Sequence, residues 1–102
     1  MKSKPVSSFD RAAASYGKAC FAYDELSKIA ADATKRERRA DFALANAHHL
    51  RDLGKAVDFD KASAEYDEAR VQLREAKRNL LRAQVNRSRS RTLMERAAGD
   101  RR

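Results

Sequence analysis

Residues 35–39 read Lys-Arg-Glu-Arg-Arg, and a second basic run, Arg70, Arg74, Lys77, Arg78, Arg82, Arg87, Arg89 and Arg91, carries Glu75 as its only carboxylate. Guanidinium and ammonium groups at this density suit charge-assisted hydrogen bonds to a polyanion. Nucleic-acid backbone is the commonest ligand of that kind, and phosphate contacts need no base-reading motif. The closing stretch VNRSRSRTLMERAAGDRR adds further arginines against Glu95 and Asp100. No aromatic residue interrupts those arginines, so stacking on bases is not expected. No zinc finger, recognition helix or RNA-binding fold is visible either. Binding through Lys35, Arg36, Arg38, Arg39 and the second run is therefore expected to be electrostatic, indifferent to sequence and sensitive to salt.

The other reactive residue types do not assemble into a catalyst. His48 and His49 are adjacent, about 100° apart on a helix, and cannot grip one metal from a single face. Cys20 is the only cysteine, so it has no internal disulfide partner. Tyr16, Tyr23 and Tyr66 fall on an apolar stripe and read as packing residues. A glycine-rich phosphate loop, a nucleophile elbow and a paired-carboxylate pocket are all missing from the sequence. The expectation is a protein that is no enzyme and takes no cofactor, metal or small-molecule substrate.

These side chains need elements to hold them. The chain has 102 residues, 37% of them charged, with a net charge of +8. That length allows one domain at most. Pro occurs once, at position 5, and Gly only at 17, 54 and 99, while good helix formers abound. The class is all-α. Phe59, Ala62, Tyr66, Ala69, Leu73, Ala76, Leu80 and Ala83 alternate spacings of three and four, the seam of a coiled coil. Continued, that seam meets Arg87 and Ser90 and recovers at Met94 and Ala97. The first half keeps the same rhythm at Phe9, Ala12, Tyr16, Ala19, Tyr23, Leu26, Ala30, Ala33, Glu37, Ala40, Leu44 and Ala47. The stretches FDRAAASYGKA at 9–19 and FDKASAEYDEA at 59–69 place like residues at like offsets, read as one packing solution used twice, with an ancestral duplication as the alternative. Gly54 suits the left-handed close of one helix, and Asp58 suits the cap of the next.

A long antiparallel helical hairpin follows, with helix 1 at about 8–53 and helix 2 at about 58–86. Asn, Ser and Thr at 86–92 predict a break there, with Thr92 and Glu95 capping a short terminal helix at 92–98. Residues 1–7 are read as a disordered N-terminus and 99–102 as a basic tail. The alternative is a three-helix bundle with a break near 32–34, where Thr34 and Glu37 fit a capping box. A turn near 54–57 sets side by side positions whose numbers total about 111, so Lys35–Arg39 is expected beside Arg70, Arg74, Lys77 and Arg78 in one basic patch.

Phe21 and Phe42 lie three heptads apart, opposite the seam, with Ile29 and Cys20 flanking that face. They are candidate protein contacts, either for a homodimer or for a partner. Two further functions thus stand beside nucleic-acid binding: a small protein-binding regulator or inhibitor docking on an acidic protein surface, and a structural coiled-coil assembly factor. No run approaches the ~20 apolar residues of a membrane span, and MKSKPVSSFD lacks the apolar core of a secretory signal. The expected location is the cytoplasm, away from membranes.

In length and central turn the chain resembles the WXG-type secreted helical hairpins. However, Asp52 stands where their Trp precedes the glycine, here Gly54, and the chain has no Trp at all. The run YDEARVQLREA at 66–76 has a tetratricopeptide look without a 34-residue repeat. No family is assigned on these residues.

Overall fold

Two caps and one glycine define where the helices begin and end. In the computed structural model, which describes residues 7–100 (backbone only at Asp100), α1 spans Ser8–Asp52 and α2 spans Phe59–Asp100. Ser7 caps α1: its Oγ accepts the Asp10 amide at 3.1 Å, and its carbonyl accepts the Arg11 amide at 3.1 Å. The cap is the last residue of the stretch 1–7 that was expected to be disordered. Asp58 caps α2 as expected, its Oδ1 accepting the Lys61 amide at 3.0 Å. Asp58→Ala is expected to lower stability by about 1 kcal/mol, measured as a depressed thermal midpoint.

α1 closes in a Schellman motif. Gly54 takes φ 76°, its amide donates to the Arg51 carbonyl at 2.9 Å, and the Lys55 amide reaches the Leu50 carbonyl at 3.0 Å. A Cβ added at Gly54 would meet open space, so the left-handed backbone rather than crowding is what calls for glycine.

The chain forms an all-α helical hairpin, with no strand among the described residues. Its contacts divide into two compact units. One is Lys28–Arg78, which contains the turn; the other joins residues up to Ser27 with those from Asn79 onward. In the turn unit Arg36 contacts Gln72, and Arg51 covers Phe59, so numbers fall along α1 as they rise along α2. In the terminal unit Tyr23 meets Arg87, and Tyr16 senses the charge of Arg91. Each unit is an antiparallel helix pair.

The interior is made of alanine. The buried apolar side chains among the described residues are Ala30, Ala33, Ala47, Ala69 and Ala76 in the turn unit, and Ala19 and Ala83 in the terminal unit. Around them every seam position named above, from Phe9 to Ala47 and from Phe59 to Ala97, is buried or half-buried. Small residues let two backbones approach closely, and Tyr, Leu and Phe at alternate positions fill the space beside them.

Both expected breaks are replaced by continuous helix. At the first, Thr34 Oγ1 donates to the Ala30 carbonyl at 2.9 Å, so the hydroxyl is satisfied inside the helix instead of capping a new one. That removes the three-helix alternative. At the second, Thr92 Oγ1 donates to the Ser88 carbonyl at 3.1 Å, and Glu95 pairs with Arg91 at 3.0 Å rather than closing a capping box. Residues 86–98 are one helix with the rest of α2. The expectation for positions 1–6 and for Arg101 and Arg102 of the basic tail lies outside the described residues.

Candidate nucleic-acid interface

Seen down the helix axis, each seam has two flanks. Residues just before a seam position lie on one side, and residues just after it lie on the other. In an antiparallel pair each flank of one helix faces the same flank of its neighbour. This rule decides which basic groups of the turn unit can meet.

On one flank Arg36 and Arg39 of α1 face Glu65, Glu68 and Gln72 of α2 across a shallow recess floored by Ala40, Ala43 and Ala69. Arg36 Nη1 donates to Gln72 Oε1 at 2.8 Å, and Gln72 Nε2 donates to Glu68 Oε1 at 3.4 Å. On the other flank Arg70, Arg74 and Lys77 surround a second recess with Leu73, and Glu37 is its single acidic wall. The two linings share no residue. The expected single patch is therefore split: Arg36 and Arg39 open onto carboxylates, while Arg70, Arg74 and Lys77 stand apart from them. Arg36 also reaches Gln72, three residues short of the position that the turn implied.

Arg38 shares its flank with Arg70, Arg74 and Lys77 by helical position, whereas Lys35 and Arg78 occupy the outermost line of their helices. All are exposed. Among the described residues, Arg38, Arg74, Lys77 and Arg78 enter no ion pair. The Arg70 guanidinium lies 5.7 Å from the Tyr66 ring centroid, where the ring face orients it while leaving its charge uncompensated.

The arginines of the terminal unit separate by role. Arg87 occupies a seam position, half-buried, with its guanidinium 3.8 Å from the Tyr23 ring centroid. It packs on the seam between the helices. Arg91 is held by Glu95 in an exposed pair. Arg82 and Arg89 are exposed, and so is Arg96 of the closing stretch, which continues their seven-residue spacing. Arg87→Ala is expected to lower the thermal midpoint, by a change worth about 1 kcal/mol from the ring contact and the buried stem. Arg89→Ala should leave it unmoved.

The candidate protein contacts are exposed in their respective units: Ile29 and Phe42 in the turn unit at 53% and 77%, and Phe21 in the terminal unit at 68%. Near the turn, His48 meets the Phe59 ring edge-on, with centroids 4.5 Å apart, and Arg51 covers the same ring at 4.4 Å. Arg51 Nη2 lies 3.4 Å from His48 Nδ1. His48 thus belongs to the packing at the hairpin's closed end. Tyr16 has its hydroxyl pKa raised above the ordinary phenol value, first by its side-chain hydrogen bond with Cys20 and by that thiol's charge, against the opposing pull of Arg91 and Arg87.

Among the described residues no cluster of three or more His, Cys, Asp or Glu side chains is placed to hold a metal. No described helix is long and apolar enough to cross a membrane. No family model, curated protein or solved structure matches the chain. What the arrangement offers chemically is a set of uncompensated cations on open helix surface, suited to an extended anionic ligand lying along it.

Proposed function

We propose that this protein binds nucleic-acid backbone without regard to sequence, as a non-enzymatic factor of the cytoplasm. The observation that carries the reading is the flank of the turn unit where Arg70, Arg74 and Lys77 gather around one recess with Glu37 as the single opposing charge. Like charges brought together lower the stability of the free protein, and a polyanion relieves that repulsion. Arg38 adds to the same flank, Lys35 and Arg78 border it, and Arg82 and Arg89 offer further phosphate contacts on the terminal unit. Arg36, Arg39, Arg87 and Arg91 contribute less, because carboxylates, Gln72 or Tyr23 already engage or face them.

The test is affinity for unrelated duplex DNA, single-stranded DNA and RNA across a salt series. Comparable affinities for unrelated sequences, falling steeply with salt, support the reading. Absence of binding at the lowest salt discards it. A second reading, a regulator that captures a partner protein, draws on the exposure of Phe21, Ile29 and Phe42. In a pulldown, Phe21→Ala/Phe42→Ala that captures the same partners as wild type removes those side chains from the account.

A further inference from the structure

The outer line of α2, turned away from the seam, has a different character in each unit. In the terminal unit Arg82, Arg89 and Arg96 recur every seven residues, with the exposed side chains Val85 and Leu93 between them. In the turn unit the same line is acidic from Asp60 to Glu68 and turns mixed at Arg74, Glu75 and Arg78. Asp60 and Asp67 are seven apart, Glu68 and Glu75 are seven apart, and Ala64 and Val71 are exposed between them. Both stripes therefore repeat on two helical turns, about 10.5 Å. Each alternates charge with a small or medium apolar side chain.

A phosphate backbone has no use for Val85, Leu93 or Val71. A helix of opposite charge and equal period does, and this chain carries that helix. We propose that the basic stripe of one copy docks antiparallel on the acidic stripe of a second copy. Arg96 then faces Asp60, Arg89 faces Asp67 and Glu68, and Arg82 comes between Glu75 and Arg74. Val85 meets Val71, and Leu93 meets Ala64. Lys61 falls beside Glu95, whereas Arg74 nears Arg82 and Arg78 nears its own copy at the centre, so the attraction comes from the outer pairs of Arg89 and Arg96. The surface is separate from the one carrying Phe21 and Phe42; it shares Arg82 and Arg89 with the nucleic-acid reading, while its acidic half, Asp67 and Glu68, has no part in that reading.

Sedimentation of the full-length protein through the micromolar range, at low and high salt, tests the contact. The expected result is concentration-dependent association that weakens with salt, because exposed ion pairs are screened. Arg89→Glu alone and Asp67→Lys/Glu68→Lys alone should each weaken association by about tenfold or more, since each sets like charges face to face. An equimolar mixture of the two variants should recover it, which also shows that both remain folded. A wild type that stays monomeric throughout, single variants that associate unchanged, or a mixture that fails to recover would each overturn the contact.

Discussion

Ala76→Asp is expected to unfold the turn unit, whereas Ala31→Asp leaves it folded. Both substitutions exchange the best helix former for a poor one in mid-helix, a loss of about 0.6 kcal/mol that is common to the two. They differ in burial: Ala76 is 6% exposed on the seam, while Ala31 faces solvent. A carboxylate at 76 has to enter an alanine interface with no cation aimed into it, which costs about 3–5 kcal/mol. It also forces apart helices whose separation is set by methyl groups. A small domain has about 5 kcal/mol of stability in total, so the buried variant loses most of it. Far-UV circular dichroism through a thermal ramp measures both proteins. Equal midpoints would mean that alanine does not hold the helices together.

That seam is the part of the fold most plainly written in the sequence. Every position assigned to it by the three-four spacing is shielded, including Glu37, Arg87 and Ser90, whose types argue against burial. Taken one by one, Asn86, Arg87 and the serines at 86–92 favour a break, because none is both apolar and a strong helix former. A neighbour across the hairpin decided otherwise: Tyr23 receives the Arg87 guanidinium and turns an apparent interruption into a contact. Likewise Thr34 and Thr92 look like caps in sequence, yet each hydroxyl finds a carbonyl one turn back. A capping box and a satisfied mid-helix threonine have the same local spelling, so only the surroundings separate them.

The twin stretches at 9–19 and 59–69 yield a further lesson. Phe9 stands two residues after its cap and Phe59 one residue after its own, so the copies share a seam but not a helix start. The recurrence follows packing between helices and not the chemistry of their ends. The same distinction explains the divided basic patch. Summed positions say which residues lie at one height along the hairpin, but not on which side of the seam they project. Arg36 and Arg39 have the right height and the wrong flank, and Glu65 and Glu68 occupy the flank they do face.

Flank also governs the largest expected change in binding. Replacing Arg70, Arg74 and Lys77 together by Gln keeps three long polar stems on exposed helix surface, so helicity and thermal midpoint should hold. Each cation that neutralises a duplex phosphate adds about 0.9 to the steepness of log affinity against log salt. Loss of three contacts should therefore flatten that slope by about 2–3 and lower affinity at low salt by two or more orders of magnitude. Arg36→Gln/Arg39→Gln removes two cations of the same kind at the same height, yet these line one recess with Glu65 and Glu68, whose carboxylates offset part of the local positive field. The slope of that double variant should change by less than about 1. Equal flattening per charge in the two variants would show that total charge, and not its distribution about the seam, governs the ligand. An unchanged slope in the triple variant would remove the turn unit from the interface, leaving the exposed arginines of the terminal unit to account for any binding.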